Sequence, residues 1–244
     1  MKLLKYLSTA FTAVMAAVST PVIQAQDMAD YSLQVQNFVD LTVVDGVNVE
    51  YKALPDSAGW AVFTCPPEIA SQIMFNNNRD HLTIQTAAWE HPIEGMPRVR
   101  VYSMTLRSAT NSGDSTLVLS VTEPVQTLKI KQVGNGAIEA DSVEAENLEA
   151  SIATGSGTIR VHGKARKAKL HNVGTGKLDA SRLEVDEAGV FIFGSGPVDC
   201  FVGSKMTVYG VGSGRVRLHT QPNKIVNRSI GVKVENAEMV ENAE

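Results

Sequence analysis

The side chains best placed for chemistry in this 244-residue chain are Lys169, His171, Asp179 and Asp199. A carboxylate pair with a lysine and a histidine close by in the chain is what a polysaccharide lyase or hydrolase uses: a base to take a proton and a cation to neutralise developing charge. The spacing favours a plainer role. Asp179 and Asp199 hold matched positions in successive units, flanked by Arg160 and Arg217, which makes an outer ladder of mixed charge. His171 falls just before a glycine corner, where a solvated turn residue is expected. The histidines (His81, His91, His162, His171 and His219) show no i,i+4 or other metal-ligand spacing. The expectation is therefore no catalytic residue, no metal site and no cofactor, with a polysaccharide-processing enzyme as the alternative.

Gly-x-Gly triplets invite a phosphate-binding reading, yet none continues to a third glycine three residues on or opens a helix. The nine-residue Gly/Asp pattern of calcium-binding β-rolls is absent too. Cys65 and Cys200 could meet or stay apart, because spacing alone does not decide pairing. Cys200 sits where other units carry Ala140, Val161 and Ala180, which points to a small buried thiol.

The elements that position these residues are repeats. Triplets at Gly134, Gly155, Gly174, Gly194 and Gly212, with a degenerate first copy at Gly113-Asp114-Ser115, are 21, 21, 19, 20 and 18 residues apart. After each corner the apolar residues alternate: Leu117/Leu119, Ile138/Ala140, Ile159/Val161, Leu178/Ala180, Val198/Cys200 and Val216/Leu218. Before the corners lies a second short strand, as in Leu128/Ile130, Ala168/Leu170, Ala188/Val190 and Met206/Val208, shifted by one residue in Leu148/Ala150/Ile152. Period-two alternation gives one dry face and one wet face. A unit this short buries its apolar face only by stacking on its own copies. The fold expectation is an all-β, right-handed parallel β-helix-like solenoid with an N-terminal β-strand layer at its end. The rival is an antiparallel sandwich of glycine-containing hairpins.

Residues 1–25 read as a signal peptide: Lys2 and Lys5, a short apolar stretch from Tyr6 to Val18, and Ile23-Gln24-Ala25 as the cleavage site. Residues 26–32 read as a linker, 33–100 as the N-terminal strand layer, 101–219 as the glycine-cornered repeats, and 220–244 as an acidic tail with a weak strand at Ile230/Val232/Val234. Asp45-Gly46 reads as a tight hairpin turn, Pro67 to Met74 as a short helix, and Trp60 as buried. Residues 86–98, with Trp89 and His91, read as a connecting loop. Without the signal the chain has 20 basic and 26 acidic residues. That balance argues against nucleic acid or an anionic membrane surface as partner. The basic run Lys164, Arg166, Lys167, Lys169 reads as a solvated turn. No membrane span is expected. The partners that suit long polar outer faces are glycans or surface proteins, or a second copy in a homo-oligomer.

With the repeats in view, the chain resembles the GIN-domain family of exported proteins, over roughly residues 33–219. The matching features are Phe38-Val39-Asp40-Leu41-Thr42-Val43 leading to Val47-Asn48-Val49, the Leu82-Thr83-Ile84 strand, and the serial Gly-Ser-Gly corners. Asn135 and Thr175 replace serine in two corners. The resemblance implies a β-solenoid, an exported location, an adhesin-like role and no established catalytic residues.

Overall fold

A computed structural model describes residues 28–87 and 94–237. Chain order runs β1 (Ala29–Gln34), β2 (Asp40–Val44), β3 (Asn48–Ala53), β4 (Trp60–Cys65), a helical turn α1 (Pro67–Ala70), β5 (Ile73–Asn78), β6 (His81–Thr86) and β7 (Arg98–Ser103). It continues with β8 (Ser108–Ser112), β9 (Thr116–Ser120), β10 (Val125–Val133), β11 (Ala137–Thr154), β12 (Thr158–Gly174) and β13 (Lys177–Gly194). The last strands are β14 (Val198–Gly212), β15 (Arg215–Leu218), β16 (Lys224–Ile230) and β17 (Lys233–Asn236). The expected signal peptide, Trp89 and His91 lie outside the described residues. Among the described residues no helix is long and apolar enough to cross a membrane.

The long strands bend. β11 buries Ile138 and Ala140, then Val143 and Ala145, then Leu148, Ala150 and Ile152. Two consecutive outward residues separate each set, and period-two alternation cannot supply two in a row on a straight strand. Each rung built on a long strand, β11 to β14, therefore has three faces. The first follows the glycine corner, the second is short, and the third leads to the next corner. The short second face was not visible in the repeat pattern.

Rungs pair in parallel, in register. On the first face Val99, Val49, Leu117, Ile138, Ile159, Leu178, Val198, Val216 and Val234 form one inward ladder. On the third, Leu82, Leu41, Ala109, Ile130, Ala150, Leu170, Val190 and Val208 form another. All of these except Val234 are buried, at about 1.5–3 kcal/mol for each of the larger aliphatic side chains. This like-on-like register excludes the sandwich.

Beside the glycine corners the inward position holds amides as well as aliphatics: Asn111, Gln132, Ile152, Asn172 and Ile192 on successive rungs. The Asn172 Nδ2 donates to the carbonyls of Gly176 (2.8 Å) and Pro197 (3.1 Å), and Asn111 Nδ2 donates to those of Ser115 (2.6 Å) and Ala137 (3.2 Å). These amides add donors at the sharp turn, where the Ser115 and Pro197 carbonyls also accept from the backbone N–H groups of Ala137 and Leu178. Glycine is required at the turn itself: Gly174 has φ +123, and a Cβ there would lie 2.8 Å from the Gly155 carbonyl oxygen.

The N-terminal half does not stack in chain order. β2 lies between β6 and β8, and β3 between β7 and β9, so the first rung made is the second in the pile. β4 pairs antiparallel with both β1 and β7, and β5 pairs antiparallel with β6, covering that end. Tyr31, Phe63 and Phe75 stack at centroid separations of 5.0 and 6.0 Å within this cap. A covered end removes one open sheet edge.

Several local expectations are corrected. Asp45-Gly46 is not a hairpin turn: β2 and β3 pair with other strands, and the dipeptide is a rung corner stacked against Gly113. Leu148 aligns with Leu128 and Ala168, and its one-residue shift from the corner is taken up by a bulge between Ile152 and Thr154. The helix ends at Ala70, and Ile73 opens a strand instead. The stretch from Ile230 to Val234 is broken by a further corner at Gly231, φ +82. β1 begins inside the 26–32 segment, and β16 and β17 occupy much of 220–244. Trp60, on an outer position of the cap, is exposed.

Candidate functional site

The outer side of the first face carries Asp179 and Asp199. They are direct neighbours on adjacent rungs, in a row that runs Glu139, Arg160, Asp179, Asp199, Arg217. Arg160 Nη1 donates to Glu139 at 2.7 Å. Lys177 Nζ bridges the two carboxylates, 3.0 Å from Asp179 and 3.6 Å from Asp199. Arg217 and His219 approach Asp199 at 3.6 and 3.4 Å, and its side chain is only 4% exposed. Burial alone would raise the Asp179 carboxyl, but hydrogen bonds from Ser181 and Lys177 outweigh it and hold the pKa at about 2. A general base for work near neutral pH needs a raised pKa and a free lone pair. Asp179 is locked as an ion-paired anion, which fits the mixed-charge ladder.

Lys169 and His171 are on the outer side of the third face, so the four candidate residues are split between two faces. His171 is not a turn residue. It lies within β12 and stacks on Phe191 at 4.6 Å and 6°, and Phe191 stacks on Tyr209 at 5.3 Å and 15°. Burial lowers the His171 pKa; Glu149 opposes that shift and Lys169 adds to it. The basic run is likewise inside β12. Lys164 pairs with Glu184 (3.1 Å) and Arg166 with Glu146 on the second face, while Lys167 and Lys169 point outward on the third.

The third face holds what the linear sequence concealed. One outer row reads Lys131, Ser151, His171, Phe191, Tyr209, Arg228, with the Arg228 guanidinium 6.0 Å from the Tyr209 ring centre. A second reads Lys129, Glu149, Lys169, Gly189, Thr207. At the edge toward the second face stand Lys167, Glu187, Lys205 and Lys224. Toward the glycine corners stand Val173, Phe193, Val211 and Ile230, on successive rungs and 41, 52, 54 and 72% exposed. Seven cations thus share this face with two carboxylates, and none of the nine forms an ion pair among the described residues. Where Gly189 lacks a side chain, a shallow hollow of 240 Å³ opens beside Phe191, edged by Lys167, Lys169 and Lys205. Two signals could have found this face: the outward positions of the strands before each corner, and the Val, Phe, Val and Ile that immediately precede Gly174, Gly194, Gly212 and Gly231.

The two cysteines are both free and buried, in β4 of the cap and β14 of the stack. Burial and the nearby Asp199 push the Cys200 thiol up to about 12, which keeps it protonated and unreactive.

Comparison with known proteins agrees with this architecture. Among curated protein sequences none is significantly similar to this chain. A "putative adhesin" of Bacteroides fragilis superposes with a TM-score of 0.72 at 17% identity, over 87% of this chain and 98% of that one. A "putative lipid binding protein" of Parabacteroides distasonis gives 0.68 at 16% identity, and a "putative adhesin" of Parabacteroides merdae 0.68 at 17%; each match covers 88% of this chain and 98% of the other. At such identities the likeness is one of fold. The family model described as "Putative auto-transporter adhesin, head GIN domain" matches residues 37–222, and the chain belongs to that family.

Proposed function

We propose that the chain is an exported, non-enzymatic, adhesin-like module of the cell envelope or surface, which meets extended glycans or surface proteins through the outer faces of its solenoid. The observation that carries this reading is the separation of Lys169 and His171 from Asp179 and Asp199 on two different faces. A lyase or hydrolase needs a base and a charge-neutralising group around one bond, and the Asp179–Asp199 pair is tied to Lys177 and Arg217. Family membership supports the adhesin-like role. The charged N-terminus and short apolar stretch of residues 1–25 support export.

The test is a glycan and surface-protein binding screen on the chain from residue 26 onward, with sizing of the same sample. Saturable binding is expected, without new reducing ends or unsaturated sugar products. Turnover of a polysaccharide that Asp179→Asn and Asp199→Asn abolish would overturn the proposal.

A further inference from the structure

We propose that the third face docks on an anionic lipid bilayer, the Val173–Phe193–Val211–Ile230 row entering the interface while the lysines of the face meet lipid headgroups. The net negative charge of the chain argues against such a partner only when averaged over the surface. Folding separates the charges: the first-face carboxylates are held in ion pairs with Lys177, Arg160 and Arg217, while the third face keeps seven cations against two carboxylates, unpaired among the described residues. The basic area spans six rungs from β10 to β16, so it is roughly 24 Å long at ~4.8 Å per rung.

The chemistry of the face selects a bilayer over other anions. Exposed aliphatic and aromatic side chains in one line, edged by lysines, are what an interfacial surface presents to headgroups and the upper acyl region. An acidic polysaccharide held by charge would leave the exposed Val173, Phe193, Val211 and Ile230 row without a partner, and a glycan held by stacking would need open ring faces. Here the Phe191 ring is covered on both sides by His171 and Tyr209, and the Arg228 guanidinium lies over the Tyr209 ring. A second copy seated on the same patch would bring like-charged rims together, which is unfavourable.

This goes beyond the adhesin-like reading, which names no lipid, and the two fail differently: that one on polysaccharide turnover, this one on vesicle binding. The test is co-sedimentation of the chain from residue 26, which contains every described residue, with vesicles of three parts phosphatidylcholine to one part phosphatidylglycerol. Binding is expected to those vesicles, to weaken with added salt, and to be absent with phosphatidylcholine alone. Lys169→Gln with Lys205→Gln should reduce partitioning roughly 25-fold, at about five-fold per lysine. Lys164→Gln with Arg166→Gln removes equal charge from the second face and should change it less than about two-fold. Phe193→Ser with Ile230→Ser, both outward and exposed, should lower it at least about ten-fold. Failure of the unmodified chain to sediment, an equal loss in the second-face variant, tighter retention by an acidic polysaccharide than by vesicles, or a dimer that Phe193→Ser dissociates without vesicle binding would each overturn the proposal.

Discussion

Replacing Ile159 by alanine tests how the stack is held together. Ile159 is fully buried in the middle of the first-face ladder, in direct register with Ile138 on one side and Leu178 on the other. The change deletes Cγ1, Cγ2 and Cδ1, about 2.4 kcal/mol at ~0.8 kcal/mol for each buried carbon. The neighbours are themselves fixed by their own rungs and cannot collapse into the space, so a cavity cost raises the total to about 3–4 kcal/mol. In a one-dimensional stack each rung contacts only its neighbours, so the loss should stay local. Hydrogen exchange should show β11, β12 and β13 losing most protection, with the loss fading toward the cap strands β1, β4 and β5. Denaturant unfolding gives the total. Arg160→Ala, one residue away but outward and half exposed, should cost no more than about 1 kcal/mol. A cost below about 1 kcal/mol for Ile159→Ala, or a loss of protection equal in cap and stack, would refute the nearest-neighbour account.

Three further expectations follow from individual sites. Asp179 is held at about 2 against an ordinary 3.8, so its ionised form stabilises the fold by about 2 kcal/mol above its unfolded pKa. That stabilisation falls away as pH drops from about 4 toward 2, and Asp179→Asn should unfold at lower denaturant at pH 7 while matching the parent near pH 2; an unchanged gap would contradict it. Gly174→Ala should cost at least about 1–3 kcal/mol by chemical denaturation, since alanine is strained at φ +123 and its Cβ meets the Gly155 carbonyl oxygen. The Cys200 thiol, buried and pushed up to about 12, should react with a thiol reagent only through local opening, so labelling at fixed pH should accelerate in Ile159→Ala; equal rates in the two proteins would contradict it.

The repeat was legible because glycine corners and period-two alternation leave marks at fixed distances. Ile138, Ile159, Leu178, Val198 and Val216 stack in the order their spacing implied. The Asp179–Asp199 neighbours were legible for the same reason. Other features depend on which rungs meet. Asp45-Gly46 has the local chemistry of a hairpin turn, and only the insertion of β2 between β6 and β8 makes it a corner. The second face was missed because Val143/Ala145 and Leu183/Val185 are too short to register as alternation. The basic, apolar third face was missed because Lys131, Lys169, Phe193, Lys205 and Ile230 are separated along the chain and converge only by register. His171 looked like a turn residue beside Gly174, and its partner Phe191 is a full repeat away.

The claim that the outer skin of the solenoid, and not a catalytic cleft, does this protein's work is tested most directly by hydrogen exchange on the chain mixed with the ligand found in the binding screen, with product analysis of the same sample. Slower exchange confined to outer-row strands, with the ligand recovered intact, is the predicted result. Recovery of shortened or unsaturated ligand would contradict it.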